Sequence, residues 1–366
     1  MRLNWIKNGL KIVGINVAIT ICLLGLVLIV PALWSDLRHA LKGKTDASAS
    51  AKHALPLYQN EPWAKQHFIE FGRLNTQYHD FFGWRRTRFD GETITVDDNG
   101  FRRHASLAKS PEQAGIWVFG GSTVWGTGSS DNGTIPAQIE KITGKGTFNF
   151  GESGYVAHQS LNLLMRQYVV GGKPSVVIFY DGVNEVAHKC RTELDFFSSS
   201  REQQIRKNLG GDGGSQLIKL FEPLAEGLRQ SISSGAKPSK KEDPRFFNCH
   251  TNTEKAHLIA KNLIQDWDMA RRLVEKNGGK FIAVLQPVTY LGTPTLRHLP
   301  EKERDSVQKL QYESVYPLIR EQAARMRLTY IDLTGIFDGA EPVYIDFCHV
   351  IPNGNRKVAM AISRKF

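Results

Sequence analysis

The sequence predicts a three-layer α/β/α protein, a parallel sheet with helices on both faces, carried on one N-terminal transmembrane helix. Three observations point there. From about residue 113, short apolar runs alternate with longer amphipathic ones, the pattern of a parallel sheet covered by helices. The amphipathic stretches set their apolar residues at helical spacing; Ala256, Ile259, Ala260, Leu263, Trp267, Ala270, Leu273 and Val274 share one face. Finally, Ile12–Trp34 reads IVGINVAITICLLGLVLIVPALW and carries no charge.

At about 1.5 Å per residue that stretch crosses a hydrocarbon core of about 30 Å. A cleavable leader would have a shorter apolar region with its small-residue site close behind. The run Ala47–Ala51 lies well downstream, so an uncleaved anchor is expected. Arg2, Lys7 and Lys11 before the span are balanced by Arg38, Lys42 and Lys44 after it, which leaves its orientation open. The formal charge of +11 is concentrated here: the first 44 residues hold those six cations against Asp36 alone, leaving +6 beyond. Such charge suits lipid headgroups. No helix-turn-helix, zinc-finger or RNA-binding signature supports a nucleic-acid partner.

The expected organisation is a short tail (1–11), the anchor (12–34), a polar tether (35–55), a helix and hairpin subregion (56–112) and the main domain (113–366), interrupted by a polar insertion at 188–250. In the subregion, 62–78 suits a short helix. Trp84–Phe89 and Glu92–Asp97 flank an Asp90-Gly91 turn as a hairpin, and Asp98-Asn99-Gly100 makes a second turn. Arg85, Arg86, Arg88, Arg102 and Arg103 are read as a solvated hairpin face, the alternative being a surface for an anionic glycan or headgroup. Strands are expected at 115–119, 147–150, 175–180, 280–285 and 328–333, and helices near 134–143, 158–170, 251–276, 301–326 and 355–366. Thr251-Asn-Thr-Glu254 has the pattern of a capping box. Within the insertion only 215–231 reads as helix.

Of four cysteines, Cys22 falls in the span. Cys190 and Cys249 bracket the insertion as a staple in an oxidising compartment would, the alternative being three unrelated thiols beyond the span. The odd count leaves one thiol free, expected to be Cys348.

Four short segments carry the chemistry. Val118-Phe-Gly-Gly-Ser122 runs a buried strand into two glycines and a serine, at the strand end where ligands of parallel sheets bind. Asn149-Phe-Gly-Glu-Ser-Gly154 and Asp181-Gly-Val-Asn184-Glu185 follow two further strands, and Asp346-Phe-Cys-His349 precedes the last helix. An Asp three residues before a His can hold one imidazole nitrogen and leave the other free to take a serine's proton. There is no P-loop, no dinucleotide fingerprint and no cluster with metal-ligand spacing.

In that order, Ser, Gly, Asn and Asp-x-x-His resemble the blocks of the SGNH/GDSL hydrolase superfamily over roughly residues 113–366. The resemblance implies a flavodoxin-like three-layer sheet and a serine nucleophile, Ser122. His349 would be its base, oriented by Asp346, with Ser122, Gly154 and Asn184 as oxyanion donors and no cofactor or metal. Two positions depart from the family pattern: Gly121 stands where it has Asp, and Glu185 where Gly-x-Asn-Asp ends. The hairpin and Asp98-Asn-Gly-Phe-Arg102 are similar to the lead-in of bacterial envelope members. That likeness implies an esterase removing acyl groups, acetyl first, from an envelope polysaccharide, with its domain periplasmic or extracellular. The alternatives are a polysaccharide O-acetyltransferase with the same triad, a lipase or lysophospholipase, and a non-catalytic subunit of a glycan-export assembly.

Overall fold

Five parallel strands, in the spatial order Thr147–Asn149, Ile116–Gly120, Val176–Asp181, Lys280–Leu285 and Tyr330–Asp332, form the central sheet. The computed structural model describes residues 52–192, 199–208, 246–304, 306–339 and 341–366. The expected anchor at 12–34, most of the tether and the expected helix at 215–231 lie outside these. No helix among the described residues is long and apolar enough to cross a membrane.

In chain order, α1 (Ala64–Arg73) leads into β1 (Thr76–His79) and β2 (Gly83–Arg86), then β3 (Phe89–Asp90) and β4 (Thr95–Val96). The main sheet starts with β5 (Ile116–Gly120), followed by the single-turn α2 (Ser122–Trp125), α3 (Ile135–Thr143), β6 (Thr147–Asn149) and α4 (Ala157–Val169). Next come β7 (Val176–Asp181), α5 (Val183–Lys189), α6 (Ser200–Asn208), α7 (Thr253–Lys276) and β8 (Lys280–Leu285). The chain closes with α8 (Glu301–Arg304), α9 (Lys309–Arg325), β9 (Tyr330–Asp332) and α10 (Pro352–Ser363). All described residues fall in one unit by contact.

The period-two geometry of a strand sends alternate side chains to opposite faces, and both faces are apolar. Trp117, Phe119, Val177, Phe179, Ala283 and Leu285 pack with residues of α4, α7 and α9. Ile116, Val118, Ile178, Ile282 and Val284 pack with Ile135 and Ile139 of α3 and Val358 and Ile362 of α10. These are the three expected layers. The chain leaves β5 for β6 on one side and returns to β7 on the other, so the topological switch point falls at the end of β5, directly before Ser122.

The helical stripe of α7 is buried as expected, with Leu273 half-buried. Its cap differs: Asn252 accepts from the Lys255 N–H at 3.0 Å, while the Thr251 hydroxyl turns back to donate to the Asn248 carbonyl. The helix expected over 301–326 is two pieces. The second follows a turn in which the Ser306 hydroxyl accepts the Gln308 N–H at 3.2 Å.

The N-terminal subregion pairs differently from the expected hairpin. Trp84–Arg86 pair with Thr76–Tyr78, and only Phe89 and Asp90 face Val96 and Thr95, across a four-residue loop. The reason is Glu70. Its carboxylate accepts the N–H groups of Glu92, Thr93 and Ile94 and the Thr93 hydroxyl, at 2.7–3.0 Å. That holds the loop open where an Asp-Gly turn alone would close it. Burial pushes the Glu70 carboxyl up, but these bonds outweigh it and leave it below its ordinary range.

The arginines also correct the expectation. Arg88 is exposed, with Asp90 and Asp98 beside it. Arg85, Arg86 and Arg102 are buried, and Arg103 half-buried against the Phe148 ring. Arg85 donates to the carbonyls of Gly100, Phe150 and Gly151. These cations brace loops from inside, and none but Arg88 forms a solvated face.

Candidate active site

The end of β5 is built for close approach. A Cβ on Gly120 would stand 2.5 Å from the Tyr180 carbonyl oxygen, and one on Gly121 would stand 2.3 Å from Asn184 Nδ2. So the departure from Asp at 121 has a local consequence: the Asn184 amide occupies that space. Ser122 opens α2, and its N–H therefore has no intrahelical acceptor. The turn ends at Gly126, whose φ of +101° suits glycine.

Ser122 Oγ lies 2.7 Å from His349 Nε2. His349 Nδ1 lies 2.8 and 2.9 Å from the two oxygens of Asp346. That pairing sets Nδ1 as the protonated nitrogen and leaves Nε2 to accept the serine's proton. Asp346 Oδ1 also accepts the N–H groups of Cys348 and His349, at 3.0 and 2.8 Å. The four-residue spacing thus folds into one tight turn around the carboxylate, clamped by the Ile345 N–H to His349 carbonyl bond and the Tyr344–Val350 bridge. Burial would push the Asp346 carboxyl up; His349 and Lys52 beside it hold it far below the usual carboxylate range.

Asn184 Nδ2 donates to the Tyr155 carbonyl at 2.7 Å, which leaves its second N–H for a ligand over Gly121. Gly154, at φ +83°, is the residue before that carbonyl, and the Arg201 side chain lies against its Cα. The 151–155 loop is held by the N-terminal subregion. Trp84 Nε1 donates to the Ser153 carbonyl, Tyr155 donates to the Trp84 carbonyl, and Glu152 takes the Arg86 N–H. Glu185 uses its extra methylene to accept both the Gly182 N–H at 2.9 Å and the Ala157 N–H at 2.7 Å, tying the β7–α5 turn to the start of α4.

The structure therefore brings Ser122, His349, Asp346 and Asn184 together, and sets Gly154 on the loop that Asn184 holds. Cys190 and Cys249 are joined by a disulfide, and Cys348 is free and buried. Asp346, Cys348 and His349 gather donor atoms within 4.8 Å of one another. A cation there would face the Lys52 ammonium and a thiol whose ionisation burial opposes, so the group does not suit a metal.

Two residues escaped the sequence reading. Lys52, expected in the tether, reaches Asp346 Oδ2 at 2.5 Å. Arg201, on α6 inside the insertion, covers Gly154. Neither had a pattern to announce it. His188, near the motifs, is half-buried beside Arg201 and Arg191 and pushed down to about 4, first by desolvation; it stays neutral near pH 7.

No family model and no curated protein matches the chain. Among solved structures it is similar to a member of the lipolytic G-D-S-L family from Veillonella parvula, at 14% identity over 69% of this chain and 97% of that one, with a TM-score of 0.39. It is also similar to a carbohydrate acetylesterase family member from Sinorhizobium meliloti, at 13% identity over 68% and 95%, with a TM-score of 0.35. These are distant likenesses; the chemistry rests on the side chains themselves.

Proposed function

We propose that the chain is a serine esterase of the SGNH type, removing acyl groups, acetyl first, from a polysaccharide. The observation that carries this is the unbroken path from Ser122 Oγ through His349 to Asp346. A serine hydroxyl is a weak nucleophile until a base takes its proton. As Ser122 Oγ attacks an ester carbonyl, its proton passes to His349 Nε2, and Asp346 stabilises the resulting imidazolium. The negative charge on the former carbonyl oxygen meets the Ser122 N–H, the Gly154 N–H and the free N–H of Asn184. Collapse expels the alkoxide, which leaves with the proton from His349. Water then repeats the sequence on the acyl-enzyme and releases the acid; a sugar hydroxyl in its place would transfer the acyl group.

Asn184→Ala is expected to lower kcat by about 10²–10³-fold with a smaller change in KM, because the lost donor acts on the developing oxyanion. Steady-state kinetics on p-nitrophenyl acetate reads this out.

The acetyl and glycan reading is supported by the similarity of the lead-in to envelope members. The apolar run 12–34 supports an anchor at the inner membrane, and the Cys190–Cys249 disulfide suits an oxidising space, periplasmic or external. Product analysis of O-acetylated envelope glycans, with and without an acceptor sugar, tests the substrate. Free acetate is the expected product. An acetylated acceptor would establish transfer, and faster turnover of octanoyl and longer esters than of acetyl esters would establish a lipase.

A further inference from the structure

The mechanism above does not use one charge in the site. Lys52 Nζ sits 2.5 Å from Asp346 Oδ2, the oxygen free of backbone donors, and its partner is 294 residues away in sequence. Just beyond it, Tyr58 donates to the Gly128 carbonyl at 2.6 Å and packs with Phe68 and Ile345, the residue before Asp346. The segment from Lys52 to Tyr58 is thus tied to both the loop after α2 and the Asp346 turn. Burial lowers the lysine's affinity for its proton, but Asp346 more than restores it, so the side chain is an ammonium.

We propose that Lys52 is a positioning residue: its ammonium fixes the Asp346 carboxylate in the orientation His349 needs and offsets part of the negative charge the imidazole faces. The inference rests on Ser122, His349 and Asp346 being the triad. A carboxylate attracts positive charge on the group beside it, and a protonated His349 cannot take the proton of Ser122. A second cation on the same carboxylate offsets part of that attraction. The other groups around the pair are Glu303 of α8, which faces Lys52 and Cys348, the Tyr58 phenol, Tyr180 of β7 and the Cys348 thiol. Burial pushes the thiol and both phenols up, so these three stay neutral through the working range. Glu303 partly counters Lys52 but hydrogen-bonds neither Asp346 nor His349, whereas Lys52 touches the carboxylate directly.

The test is the acid limb of kcat/KM for p-nitrophenyl acetate, measured on the full-length chain. Lys52→Met should move that limb to higher pH by about one unit, as expected for losing one unit charge this near a titrating site. Lys52→Arg, which keeps the charge, should leave the limb in place. Lys52→Gln carries the same expectation as Lys52→Met if the methionine variant is not recovered folded. A purely structural lysine would lower kcat or the melting temperature in the neutral variants without moving the limb. An unmoved limb in a folded neutral variant overturns the inference, as does an equal shift in Lys52→Arg. Ser122→Ala separates the two levels: if it is inactive and the limb does not move, only the role of Lys52 falls, whereas if it stays active the triad itself falls.

Discussion

Replacing Arg102 with leucine is expected to lower the unfolding free energy by about 3–5 kcal/mol, the range for removing one partner of a buried ion pair. Its side chain is fully buried. Nε donates to Asp131 at 2.9 Å, Nη1 to the Trp125 and Gly126 carbonyls, and Nη2 to the Thr93 and Ser129 carbonyls. The guanidinium also lies 4.4 Å from the centre of the Trp125 ring. Burial lowers the arginine's affinity for its proton and raises that of Asp131, so desolvation is the leading effect on each partner. The pair is therefore no great net source of stability, yet leucine would leave the Asp131 carboxylate without its counter-charge and the Ser129 carbonyl without its donor, and would take one hydrogen bond each from the Thr93, Trp125 and Gly126 carbonyls. At about 2.1 cal/mol/K of unfolding entropy per residue, each kcal/mol moves the melting temperature of a chain this long by about 1.3 °C, so it should fall by about 5 °C. An exposed arginine on a solvated hairpin would change stability by less than about 0.5 kcal/mol. The same loop follows Ser122 directly, so activity should fall with it.

That contrast shows what the sequence made legible. The central strands β5, β7 and most of β8 could be read because burial on both faces makes them apolar runs, whereas β6, with Thr147 and Asn149, and the half-exposed edge strand β9 follow from their place in the alternation. Ser122, Asn184, Asp346 and His349 could be read because each sits beside a strand end or a turn with its own local pattern, in a recognisable order. Arg85 and Arg102 could not, because their partners are mostly backbone carbonyls, which leave no complementary residue in the sequence. The hairpin register was hidden for a related reason: the Asp-Gly signal is local, while Glu70, some twenty residues earlier, sets the loop. Lys52 is a single lysine in a segment rich in Ala and Lys, and its meaning appears only once the chain returns to Asp346. Residue 121 stood out only as a missing Asp until Asn184 was seen to fill the space.

The second large effect belongs to Ser122. Alanine removes the oxygen proposed to attack, while the proposed oxyanion donors and Asp346 remain. Turnover should fall by about 10⁴-fold or more, with a residue of rate from those donors. Ser122 is only half-buried, and its loss leaves no cavity in either apolar layer, so the melting temperature should stay within a degree or two of the parent. Loss of rate without loss of fold separates a nucleophile from a structural serine. The most direct measurement is therefore p-nitrophenyl acetate hydrolysis by the full-length chain and by Ser122→Ala, with melting curves for both. A folded variant whose turnover has dropped by about four orders of magnitude is the expected result; a folded variant turning over at the parent rate would contradict the account.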